Sequence, residues 1–300
     1  IKINLKNTTF YLLMPVVKNF TSISPIPKRI ILTYKTDVPA KFPEKYIKGY
    51  NSILKYFSPN YEIKIFVDEE MDQLVRNFDT KLFELYNKKP IVSKTDIFRI
   101  IALYIFGGYY MDLDVFWEKD PTKYLESIEK EVVLCVEKIL FPQCAMLYLN
   151  SDNCDKKLCA LSNYCMGCIP KNKFFEKIIE QLYISLDSEN IFLTQNIFWI
   201  KNTVNNKYSI YKPNNNSEFL FKIHDKKIVN SVILSSEISN EPNVIEYASI
   251  LMDAGPLFIS HVYNSLECGI LKDTVFIIKT KKDNYISDYG VHLHEGGWNG

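Results

Sequence analysis

The chain has 300 residues, 47% hydrophobic and 24% charged, a composition typical of a globular protein long enough to bury a sizeable core. Its 36 Lys+Arg nearly balance 35 Asp+Glu, so no excess field exists to hold a nucleic-acid backbone or an anionic membrane. No uninterrupted apolar run of about 18 residues occurs, which excludes an evident membrane span, and seven Cys, an odd number, argue against a complete disulfide framework.

In chain order, residues 1–25 read as a lead-in that closes in the Ser/Pro stretch Ser22-Ile23-Ser24-Pro25, and one domain is expected over 26–300. The run 29–34 (RIILTY) predicts a buried strand. Apolar residues recurring at three and four over 43–57 predict a helix, and 61–67 predicts a second strand. Strand, helix and strand in that order form a βαβ unit with a parallel pair. Helices are predicted over 69–78 and 93–106, the latter with Ser93 as N-cap, Asp96 completing a capping box and Gly107-Gly108 as the stop. A strand over 109–114 would follow, then strands at 132–136, 145–149 and 163–168 and a helix at 174–186. The polar stretch 201–216 reads as loop with a short strand. Gly255-Pro256 should open a helix running to about 266, with strands at 275–278 and 289–294 completing a single α/β domain.

Asp112-Leu113-Asp114 would place two carboxylates on one strand face, an arrangement suited to a hard divalent cation that is also held by phosphates. The ordinary alternative is a solvated acidic pair. Asp96 and Arg99 stand one helical turn apart, and Arg99 is one of only three Arg in the chain. They form either a local ion pair or a bidentate hold on a sugar hydroxyl or phosphate. His292 and His294 share a face of the last predicted strand, and either could join Asp114 in a Mn²⁺ site. Cys154, Cys159, Cys165 and Cys168 lack the paired arms of a zinc site and read as buried thiols. No G-x-S-x-G, Walker A, G-x-G-x-x-G or H-E-x-x-H motif is present.

Taken together, Ser93-Lys94-Thr95-Asp96-Ile97-Phe98-Arg99, Leu103-Tyr104 and Gly107-Gly108-Tyr109-Tyr110-Met111-Asp112-Leu113-Asp114 resemble the D-x-x-R, L-Y-x-x-G-G-x-Y-x-D-x-D signature of the DXD-containing sugar transferases, glycosyltransferase family 32. That family includes initiating mannosyltransferases and α-galactosyl- or N-acetylglucosaminyl-type enzymes, and glucosylating toxins share its core. Residues 26–35 (IPKRIILTYK) resemble its opening strand, Gly255-Pro256 its T-G-P turn, and 289–298 (YGVHLHEGGW) its terminal pattern. The resemblance implies a GT-A fold, a Rossmann-like nucleotide-sugar-binding α/β domain with a mixed sheet flanked by helices. It also implies a metal-dependent, retaining transfer of a hexose or N-acetylhexosamine, with a UDP-sugar favoured and GDP-mannose second, to a hydroxyl of a glycan, lipid or protein acceptor.

Carried over by position, Asp114 would bind Mn²⁺ or Mg²⁺, Asp112 would touch the ribose or the metal, and His292 would be the third protein ligand. Asp96 and Arg99 would hold the donor sugar. Thr33 and Tyr34 would meet the nucleotide, with Tyr34 on the base, and Trp298 would close over the diphosphate. Tyr34, Leu293, Gly297 and Ala254 stand where the family pattern has Trp, His, a hydroxyl residue and Thr. Two other readings remain at this level: a non-catalytic carbohydrate-binding protein of the same fold, and a glycoside hydrolase with paired acids and no nucleotide.

Overall fold

The computed structural model describes residues 2–5, 8–11, 24–139, 159–187, 193–194, 197–202, 207–211, 253–265, 273–280 and 285–293. Strands β1 (Lys2–Leu5) and β2 (Thr8–Tyr11) pair antiparallel. The expected βαβ unit follows as β3 (Arg29–Thr33), α1 (Glu44–Phe57) and β4 (Glu62–Phe66), with β3 and β4 parallel. Helices α2 (Asp68–Phe78), α3 (Thr80–Asn87) and α4 (Ile91–Phe106) then return the chain to β5 (Gly108–Met111) and the short β6 (Val115–Trp117). Next come α5 (Thr122–Glu126), β7 (Val132–Ile139), β8 (Cys159–Cys168) and α6 (Lys173–Asp187). Strands β9 (Leu193–Thr194), β10 (Ile197–Asn202) and β11 (Lys207–Tyr211) form an antiparallel sheet of their own. The described part ends with α7 (Pro256–Ser265), β12 (Val275–Ile278), β13 (Tyr285–Ile286) and β14 (Gly290–His292).

The central sheet has the order β12-β7-β8-β5-β3-β4, and it is mixed because β8 runs antiparallel to both β7 and β5. Strand side chains alternate between its faces. Ile31, Tyr110 and Leu134 enter the core beneath α2, α3, α4, α6 and α7, whereas Ile30, Leu32, Tyr109, Met111 and Val133 enter the one beneath α1 and α5. This is the mixed sheet flanked by helices expected from the sequence. Among the described residues, no helix is long and apolar enough to cross a membrane.

Several local expectations need correction. Helix α4 begins one turn before Ser93, because Pro90 sits extended at φ −61° and ψ 158° and its carbonyl accepts the first helical bond, from Lys94. Ser93 is therefore inside the helix, fully buried, and Asp96 is freed from a capping role for partners elsewhere in the fold. Helix α3 was not expected; its signal is Asp79, whose carboxylate accepts from Leu82 N at 2.7 Å as an N-cap. The strand expected over 109–114 stops at Met111, where Val115 N donates to Asp112 O at 3.1 Å and closes a tight turn. Residues 145–149, Cys154, His294 and Trp298 lie outside the described residues, whereas Cys165 and Cys168 are buried free thiols.

The Gly107-Gly108 pair does stop α4. Both glycines have positive φ, 64° and 101°, and a Cβ on Gly108 would meet Arg29 O at 2.7 Å. Their freedom lets the chain leave α4 and enter β5 directly beside β3. Gly108→Ala should lower unfolding stability by at least ~1–2 kcal/mol, the cost of a left-handed L-residue before any backbone crowding; a urea midpoint equal to the parent's would contradict this.

Candidate functional site

The site forms at the C-terminal ends of the adjacent parallel strands β3 and β5, where an open α/β sheet leaves a crevice. Strand β3 delivers Thr33 and, just beyond it, the half-buried Tyr34, whose ring meets Phe42 and Tyr46 edge-on at 4.9 and 5.5 Å. Strand β5 delivers Tyr110 and then the turn bearing Asp112 and Asp114. The two acids thus project from a turn rather than from one face of a strand, and they still converge.

Strand β14 brings in the third member by pairing antiparallel with β6, which places His292 opposite Val115. The turn is drawn into the same sheet, since Leu293 N donates to Asp114 O at 3.0 Å. His292 Nε2 lies 3.1 Å from Asp114 Oδ1, and its ring stacks on Tyr164 at 4.1 Å between centroids. Asp112, Asp114 and His292 each present one ligand atom, all within 4.8 Å of one another, and this is the group of metal-binding type found among the described residues. Two carboxylates and an imidazole are ligand types that divalent cations take, so the residues fit a divalent cation.

A polar network runs from this cluster into α4. Tyr110 hydroxyl donates to Asp112 Oδ1 at 2.7 Å, which leaves it to accept from Thr33 Oγ1 at 3.0 Å. Arg99 pairs with Asp96 Oδ1 at 2.9 Å and lies 3.6 Å from Asp112 Oδ1. It also donates to Asn163 O at 2.7 Å and packs over the Tyr110 ring. Asn163 Nδ2 donates to Asp96 Oδ1 at 2.8 Å, while Asp96 Oδ2 is buried without a partner among the described residues. That buried acceptor is suited to a ligand hydroxyl.

Of the residues singled out from the sequence, the fold therefore brings Thr33, Asp96, Arg99, Asp112, Asp114 and His292 into connected contact. Tyr34 stands beside Thr33, joined to the sheet by its own N–H to Phe66 O at 3.1 Å. Sequence reading missed Tyr110, Asn163 and Tyr164. Tyr110 carried a signal, because it alternates with Asp112 on the strand, whereas Asn163 and Tyr164 had none and reach the site through the β5–β8 pairing.

Residues 43–132 match the family described as glycosyltransferase sugar-binding region containing DXD motif. The chain is 33% identical over 91 residues to inositol phosphoceramide mannosyltransferase 3 of Schizosaccharomyces pombe, covering 30% of this chain and 24% of that one. It is 27% identical over 110 residues to the initiation-specific alpha-1,6-mannosyltransferase of Candida albicans, with 35% and 28% covered. Over 179 residues it is 27% identical to mannosyl phosphorylinositol ceramide synthase CSH1 of Saccharomyces cerevisiae, with 59% and 38% covered. The matches thus span well under half the length of these relatives. Among solved structures, the PaToxG glycosyltransferase aligns at TM-score 0.33 and 16% identity over 55% of this chain and 62% of that one.

Burial and neighbouring charge raise two of these acids. Burial pushes the Asp96 carboxyl up to about 7, against the pull of the Arg99 guanidinium and the Asn163 hydrogen bond, with Asp112 adding a further upward push. Asp112 is also raised, first by burial and then, against Arg99, by Asp114. An acid whose folded value lies above its unfolded one holds its proton more tightly when folded, so its contribution to stability is lost as pH rises from about 4 to about 7. The melting temperature of the EDTA-treated protein should accordingly fall between pH 5 and pH 8, and Asp96→Asn should flatten that decline; an unchanged slope in the variant would refute the assignment.

Proposed function

We propose that the chain is a metal-dependent, retaining hexosyltransferase that takes its sugar from a nucleoside diphosphate donor and passes it to a hydroxyl of a glycan, lipid or protein. The observation that carries this reading is the convergence of Asp112, Asp114 and His292 within 4.8 Å, next to the buried Asp96–Arg99 pair. Within one crevice, a cation-binding cluster faces a sugar-binding one. Asp112, Asp114 and His292 would hold Mn²⁺ or Mg²⁺, whose charge stabilises the diphosphate as it departs. The names of the three relatives put mannose first among the hexoses to be tested.

The chain's own residues perform the remaining tasks. Tyr34 stacks on the nucleobase, and Thr33, joined to Tyr110, closes the nucleotide side of the crevice. Arg99 donates to donor oxygens while Asp96 Oδ2 accepts from a sugar hydroxyl, which fixes the anomeric carbon relative to the acceptor. In this reading Asp96 Oδ2 is taken up by a sugar hydroxyl and Asp112 by the cation, so neither is assigned the part of covalent nucleophile. Retention would then come from front-face attack by the acceptor hydroxyl, with the departing phosphate taking its proton. Trp298, outside the described residues, is our candidate for closing over the diphosphate.

A thermal-shift panel of UDP- and GDP-sugars with and without Mn²⁺, followed by transfer assays on the donors that stabilise, tests this reading. Asp114→Asn should abolish transfer while the protein remains folded, and EDTA should do the same to the parent. Full activity in either case would overturn the metal requirement. Tyr34→Ala should weaken donor binding by about 1–3 kcal/mol, the scale of base stacking on an aromatic ring, whereas Tyr34→Trp should retain it. Nucleotide affinity unchanged in the Ala variant would confine Tyr34 to packing.

A further inference from the structure

Helix α1 carries a glycine near its middle, Gly49, where alanine would be the better helix former. The fold explains the choice. A Cβ built on Gly49 would overlap the Leu113 carbonyl oxygen and lie 3.0 Å from Val115 O. Leu113 is the central residue of the Asp112–Asp114 turn, so the α1 backbone rests directly against the peptide that joins the two acids.

One turn further along α1, Ser52 continues the contact. Its hydroxyl donates to Gly49 O at 2.7 Å and accepts from Trp117 N at 2.9 Å, and the residue is buried. After another turn, Tyr56 hydroxyl donates to Glu118 O at 3.2 Å and the Phe57 ring meets the Trp117 ring edge-on at 5.7 Å. The seam follows the chain from Leu113 to Glu118 without a gap wider than one helical turn. On the opposite side, Asp112 N donates to Tyr164 O at 2.9 Å and Asp114 O accepts from Leu293 N. The turn is therefore held by α1 as well as by β8 and the segment after β14.

We propose that Gly49 and Ser52 are positioning residues for the cation site, and that α1 sets the spacing of Asp112 and Asp114 by bracing the turn from behind. The proposal rests on the reading of Asp112, Asp114 and His292 as cation ligands. Neither residue touches the cation or the donor. Gly49 permits the helix to approach the Leu113 peptide closely, and Ser52 ties the approach to β6, whose partner strand β14 carries His292. All three ligands are thus referred to one helix.

The test uses Mn²⁺ alone as the probe, with its affinity for the whole chain measured by electron paramagnetic resonance of free Mn²⁺ below the melting temperature of every variant. Gly49→Ala should weaken Mn²⁺ binding by about 10- to 100-fold, the effect expected of groups that orient ligands from behind. Ser52→Ala should weaken it in the same direction, Ser52→Thr, which keeps the hydroxyl, should restore it, and Asn51→Ala on the exposed side of α1 should leave it unchanged. If Gly49→Ala does not fold, the Ser52 pair decides. A merely structural role predicts a lower melting temperature with Mn²⁺ affinity unchanged, and that result would overturn the proposal. Asp114→Asn separates the two levels: Mn²⁺ lost there but retained in Gly49→Ala and Ser52→Ala refutes the bracing alone, whereas Mn²⁺ retained in Asp114→Asn refutes the cation site and the bracing with it.

Discussion

Arg99 is a permanently charged group whose side chain is only 5% exposed, and a charge so placed must be met by opposite charge and acceptors or the fold would not tolerate it. Its partners come from three elements: Asp96 from its own helix, Asp112 from the turn after β5 and the Asn163 carbonyl from β8. The ring of Tyr110 lies against the guanidinium at 4.5 Å. Burial works against the charge on Arg99, yet Asp112, Tyr110 and Asp96 more than compensate. Meeting the demands of one cation thereby sets the register of α4 against the sheet and gathers the acids at one edge of the crevice.

That arrangement requires a helix that can be buried on nearly every side. From Ile97 to Leu103, α4 is buried without interruption, and Ile97, Phe98, Ile100, Ile101, Ala102 and Leu103 have no solvent-exposed surface. Its buried charges, Asp96 and Arg99, lie where β8 and the turn after β5 supply partners. The two glycines after it then turn the chain sharply enough for β5 to lie beside β3. Thr33 and Asp112 are thereby bridged by the single hydroxyl of Tyr110. The end of β3 and the turn after β5 are thus joined through one side chain.

Much of the fold was legible in the sequence because its signals are short in range. The alternation and apolar runs of β3 and β4, the three-four spacing of α1, the Gly-Gly stop of α4 and the bounds of β12 each depend on residues within a turn or two of one another. The same holds for the grouping of Asp96, Arg99, Asp112 and Asp114, whose spacings resemble a family signature. Local rules failed where a distant partner outweighed them. Ser93 has the form of a cap, but Pro90 starts the helix earlier, and Asp96 answers to Arg99 and Asn163 rather than to a backbone N–H at the helix end. Asp112 and Asp114 alternate as a strand would, yet the chain turns beneath them because Val115 must leave to pair with His292.

The sequence by itself thus determined the α/β class and the βαβ start, and it singled out Asp96, Arg99, Asp112, Asp114 and the pair His292 and His294 as candidates. Resemblance also pointed to His292, but only the tertiary structure put it 3.1 Å from Asp114, brought Asn163 and Tyr164 of β8 beside the cluster, and set Gly49 of α1 against the Leu113 carbonyl. The physical reason is that these depend on strand pairing and helix packing between segments far apart in the chain. Such contacts are set by which surfaces the whole fold can bury together, and no local pattern of residues records them.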